Sequence, residues 1–170
     1  AYQAAINQII AEYNSQFAQQ VAKVSKTDET AIKAILSDIA AAKKSIKGLT
    51  VETTPVLTYM DGLKSILEGY LDDIKTSERE AVEKAIKAIP VNVTDADKAT
   101  VEAARKLYDA YVAKYTDLEA LYDETNGTTV NAGGYTKGYA ADDIAISALT
   151  AAETVLGLNA PTAADKVEAL

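Results

Sequence analysis

The chain has 170 residues, a formal charge of −8 and 48% hydrophobic side chains, with no cysteine, histidine or tryptophan. Lacking cysteine it has no disulfides and no thiolate zinc site, and lacking histidine it has neither the commonest metal ligand nor the commonest acid–base group, so an enzyme is not expected. Residues 1–75 carry eight lysines against nine acids, a net of −1, whereas residues 76–170 carry nine basic residues against sixteen acids, a net of −7; the acidic half opposes a phosphate backbone, and no nucleic-acid partner is expected.

Alanine is abundant and glycine and proline are scarce, which favours helices because alanine loses no side-chain entropy on helix formation. No apolar run reaches the length of a membrane span, so no membrane insertion is expected. Ala1 opens directly into an amphipathic pattern, as in a mature or excised fragment.

The first helical segment runs from about Tyr2 to Val24, with Ile6, Ile9, Tyr13, Phe17, Val21 and Val24 on one side. Thr27 is placed to cap the second, whose stripe is Ile32, Ile35, Ile39, Ala42 and Ile46 flanked by Leu36, and Gly48 sits where a left-handed residue would end it. Thr54-Pro55 starts the third, since proline in the first turn loses only an orphan N–H. Its stripe is Val56, Tyr59, Leu63, Ile66, Leu67, Tyr70 and Ile74.

Ser77-Glu78-Arg79-Glu80 fits a capping box, followed by Val82, Ala85, Ile86 and Ile89 before Pro90. Periodicity alone leaves open whether this fourth segment is separate from the third or continues it through a bend near Thr76. The fifth is capped by Thr94 with Asp97 three residues on. It carries Val101, Ala104, Tyr108, Tyr111, Tyr115, Leu118 and Tyr122 at alternating spacings of three and four. A last segment, roughly Ala140 to Leu156, repeats the rhythm with Ala141, Ile144, Ala148, Leu149, Ala152 and Val155.

Between the last two helices, residues 126–139 hold four of the eight glycines together with Tyr135 and Tyr139. Helix is excluded there; a loop with a short Thr-Thr-Val strand is expected. Asn159-Ala160-Pro161-Thr162 breaks the pattern, and the residues after it begin a helix that is cut short, as in a piece of a longer modular protein. The fold class is therefore all-α: about six helices in two consecutive three-helix bundles, over 1–75 and 76–158, with 159–170 a linker and the start of a truncated element.

The second unit resembles a helical repeat of Gram-positive cell-surface proteins, of the surface-layer (S-layer) type. The matching text is Ile86-Lys87-Ala88-Ile89-Pro90, then Thr94 to Ala110 against the pattern Thr-x-x-Asp-Lys-x-x-Val-x-x-Ala-Arg-x-x-Tyr-Asp-Ala, and a shorter match at Leu149-Thr150-Ala151-Ala152-Glu153. The chain departs from the repeat after Tyr108, where its helix continues to about Tyr122 and a glycine-tyrosine loop follows. The resemblance implies a spacer, lattice or display role outside the cell and carries no catalytic residues.

Two candidate sites follow from the residues. Tyr111 and Tyr115 on the helix, with Tyr135 and Tyr139 in the loop, form a candidate partner-contact surface, because tyrosine supplies large contact area at low entropy cost; a bundle core would use the same helical stripe, and Tyr111 and Tyr115 are its expected exposed pair. Asp123, Glu124 and Asn126 at one helix end and Asp142 and Asp143 at the next helix start form a candidate calcium site, although none matches the calcium-loop spacing. Asp95 and Asp97, in a first helical turn, read as capping residues.

The expected function is a non-enzymatic structural or spacer region of a secreted, cell-wall-associated S-layer-type protein, contacting neighbouring domains, copies of itself or cell-wall glycan. Two alternatives stand beside it: an adhesin-like bundle binding a host protein or wall glycan, and an accessory module of a secreted glycan-active enzyme.

Overall fold

Helix-forming sequence with apolar residues every three to four positions dictates the architecture seen in the computed structural model, which describes residues 2–49, 52–115, 122–123, 128–129 and 144–158. Among the described residues five helices carry the fold: α1 (Tyr2–Lys23), α2 (Glu29–Lys47), α3 (Thr54–Lys87), α4 (Lys98–Tyr115) and α5 (Ser147–Val155). A 3₁₀ turn at Asp95–Asp97 leads into α4, and two short strands, β1 (Tyr122–Asp123) and β2 (Thr128–Thr129), pair antiparallel with Tyr122 opposite Thr129. No helix is long and apolar enough to cross a membrane among the described residues.

The third and fourth expected segments are one helix. α3 runs unbroken for 34 residues, about 50 Å at the α-helical rise. Ser77-Glu78-Arg79-Glu80 lies inside it and starts nothing, since no glycine or proline intervenes to open the i→i−4 ladder. Its arginine bonds along the helix instead: Arg79 donates to Glu83 one turn on, at 3.2 Å.

Caps decide the other ends. The second helix is capped by Asp28, not Thr27: the Asp28 carboxylate accepts from the Ala31 N–H at 3.0 Å, while the Thr27 hydroxyl pairs with Ser25. Gly48 is right-handed, with φ −77°, so the expected left-handed stop is not used there. That device ends α5, where Gly157 has φ +64°, the Leu158 N–H donates to the Glu153 carbonyl at 2.9 Å and the Gly157 N–H to the Thr154 carbonyl at 3.2 Å. Asp97 caps as expected, its carboxylate accepting from both the N–H and the hydroxyl of Thr94, at 2.9 and 3.0 Å.

The chain divides into two compact units, with the boundary inside α3 between Thr76 and Ser77. In unit 1, Phe17 and Val21 of α1, Ile32, Ile35, Leu36, Ile39 and Ile46 of α2, and Met60, Leu63, Leu67 and Leu71 of α3 make one continuous core. Two stripes sit rotated from their expected faces. On α1, Ile10 is buried while Ile9 and Tyr13 are exposed; on α3, Met60 and Leu71 are buried while Tyr59 and Ile66 face water. Leucine and methionine fill a core without the phenol hydroxyl that a buried tyrosine must satisfy.

In unit 2 the buried apolar residues are Val82 and Ile86 from α3, Val101, Ala104 and Tyr111 from α4, Ile144, and Leu149 and Ala152 from α5. α5 begins at Ser147, later than the expected start near Ala140, and residues 144–146 precede it without helical structure. Ala148 and Val155, expected on its core stripe, are exposed. At the other end of the preceding helix, Tyr122 is extended in β1, so the helix stops short of it.

Candidate functional site

Among the described residues, three charged side chains are buried, each engaged by a neighbour on another element. Lys43 of α2 is buried in unit 1 and its ammonium pairs with Asp61 of α3, which is open to solvent. Pairing with a solvent-open carboxylate is a usual way to accommodate a lysine near apolar surface, since the ammonium can stay at the edge. Lys75, fully buried on α3, places its ammonium over the Tyr115 ring at 4.8 Å from the centroid, where the negative face of the ring attracts a cation.

The third is Glu153 of α5, 4% exposed. Arg105 of α4 grips it through two parallel bonds, Nε to Oε1 at 2.6 Å and Nη2 to Oε2 at 2.8 Å. The fork matches the carboxylate geometry and fixes orientation as well as charge. The Glu153 hydrogen bond holds the Arg105 guanidinium above its ordinary value, with Asp109 adding to it and burial opposing. A guanidinium held in this way neither gives up a proton nor acts as a base; its role is attachment. In the same unit Lys114 of α4 donates to Glu78 of α3 at 2.6 Å. The Arg105–Glu153 pair was not legible in the sequence, because its members stand 48 positions apart and only the fold brings them together.

The expected contact surface is half corrected. Tyr111 and Tyr115 are each 3% exposed, so they are core residues and not the outward pair of the stripe. They follow Val101 and Ala104 on the same buried line of α4, and Tyr108, half-buried between them, stacks under the Arg105 guanidinium at 5.4 Å. Tyr135 and Tyr139 lie outside the described residues. So do Glu124, Asn126, Asp142 and Asp143 of the candidate calcium site; Asp123 is the second residue of β1. Among the described residues, no group of three or more acids is gathered closely enough to hold a metal ion.

One surface feature has no full signature in the sequence. α1 carries only two charged residues in 22, Glu12 and Lys23, against seven asparagines and glutamines, and its Tyr13 lies 47% exposed beside a groove shared with α2. The amide richness was visible in the letters; the groove was not. Comparison with known proteins gives no match, whether to a family model, to a curated protein or to a solved structure.

Proposed function

We propose that the chain is a non-enzymatic structural region of an extracellular bacterial surface protein, of S-layer type, which supplies stiffness and lateral contacts. On this reading its helices form two consecutive bundles, one from α1, α2 and the first part of α3, the other from the rest of α3 with α4 and α5. One observation carries the reading: Lys43, Lys75 and Glu153 are each engaged by a partner on a neighbouring element, so the buried charge serves helix-to-helix attachment. The resemblance of Ile86–Pro90 and Thr94–Ala110 to a surface-protein repeat supports it independently.

Lateral contacts between copies are individually weak and gain strength from multiplicity in a lattice. Sedimentation velocity over a rising concentration series, with and without calcium, tests this. Growth into species of increasing mass is expected. A single monomeric species at every concentration contradicts the lateral role, and turnover of a small compound that is abolished by one carboxylate substitution contradicts the non-enzymatic one.

A further inference from the structure

We propose that the groove between α1 and α2 binds an uncharged, N-acetylated oligosaccharide, with the Tyr13 ring as its stacking platform. The groove encloses about 430 Å³ and is lined by Tyr13, Gln16, Phe17, Gln20, Asp38 and Ser45, among others, a volume within the range of small-molecule sites. Tyr13 is the aromatic that faces solvent there. The buried ring of Phe17 backs it from the next helical turn, with centroids 6.3 Å apart and planes 25° from parallel. A half-exposed ring fixed from behind offers a flat apolar surface at little further entropy cost, and pyranose C–H faces are its natural complement.

The polar lining fits hydroxyl groups. Gln16 and Gln20 carry amides that both donate and accept, as sugar hydroxyls do. Ser45 turns its own hydrogen to the Ala41 carbonyl at 3.2 Å, which leaves its oxygen as an acceptor. Asp38 supplies two further acceptors and is the charged residue of the lining; no lysine or arginine lines the groove, so an anionic ligand gains nothing there.

Past Tyr13 the groove continues as an apolar stretch of about 200 Å³ between Ile6, Ile9, Ile10 and Leu49, sharing Tyr13, Ser45 and Ile46 with the polar part. A sugar whose hydroxyls meet the amides while acetamido methyls enter this stretch satisfies both halves. A sugar without the acetamido group satisfies one.

The inference goes beyond the scaffold reading and stands apart from it, since a protein that never assembles can bind a sugar here and one that assembles need not. The test is an amide NMR titration of the full chain with chitohexaose, and in parallel with cellohexaose. Chitohexaose is expected to give saturable shifts at residues 13–20 and 38–46, with cellohexaose weaker. Tyr13→Ala, at a half-exposed site, should lower the thermal melt by a few degrees, keep the protein folded and weaken binding about tenfold, while Tyr13→Phe keeps it within about threefold. No saturable shift with chitohexaose, equal affinity for cellohexaose, or unaltered binding by Tyr13→Ala overturns the proposal.

Discussion

The two units solve the same packing problem with different materials. Unit 1 has three helices of 22, 19 and 34 residues to draw on, the last of which it shares, and fills its core with long aliphatic side chains and a phenylalanine. Its buried charges are the lysines Lys43 and Lys75. Unit 2 closes on α5, a helix of nine residues that buries Leu149, Ala152 and the carboxylate of Glu153. So short a helix is not stable alone in water and has little apolar face to offer. The bidentate Arg105 pair supplies the specificity that area does not. The difference teaches that a carboxylate–guanidinium pair can hold a helix whose own apolar face is short.

If that contrast holds, substitutions should act through different mechanisms in the two units. Leu67→Ala, at a fully buried α3 position of unit 1, is expected to cost about 3 kcal/mol through lost burial and a residual cavity. Urea unfolding with amide exchange resolved by unit would show the loss concentrated in unit 1. In unit 2, Glu153→Ala should cost about 2 kcal/mol, less than for a fully buried pair, because the Arg105 side chain is 33% exposed and regains water when its partner is lost. Combining it with Arg105→Ala should show coupling of about 1 kcal/mol or more in a double-mutant cycle; strict additivity would remove the pair from the account.

Two glycines sharpen the comparison. Gly157→Ala forces a side chain into the left-handed region at the end of α5 and should cost about 1 kcal/mol in unit 2. Gly48→Ala has right-handed φ and meets its nearest neighbour, the Ser45 carbonyl oxygen, at an ordinary 3.5 Å, so thermal melts should show no loss or a gain of up to about 0.5 kcal/mol. Asp97→Ala removes the acceptor that closes the start of α4, at a cost of about 1 kcal/mol in unit 2, and Asp97→Asn should recover part of it.

Periodicity made most of this fold legible. The α2 stripe from Ile32 to Ile46 and the α4 line through Val101 and Ala104 are where spacing places them, because a core demands one apolar face and the sequence supplies only one there. α1 and α3 were harder for the opposite reason. Ile9 and Ile10, Tyr59 and Met60, Ile66 and Leu67 are adjacent apolar pairs, and spacing cannot choose between faces that differ by one residue. Ser77-Glu78-Arg79-Glu80 shows a second limit: a capping signature is also an ordinary run of good helix formers, and nothing local forces the backbone to break. Tyr111 and Tyr115 show a third. Their residue type suits a core and a contact surface equally, and only the neighbouring elements decide between them. The groove beside Tyr13 needed two helices to exist and so had no local signature beyond the amides of α1.

The scaffold reading meets its most direct test on the cell. Antibodies raised against the chain and coupled to gold should label intact cells of the source organism, with particles spaced regularly over the wall. Labelling that appears only after the cells are broken open would contradict it.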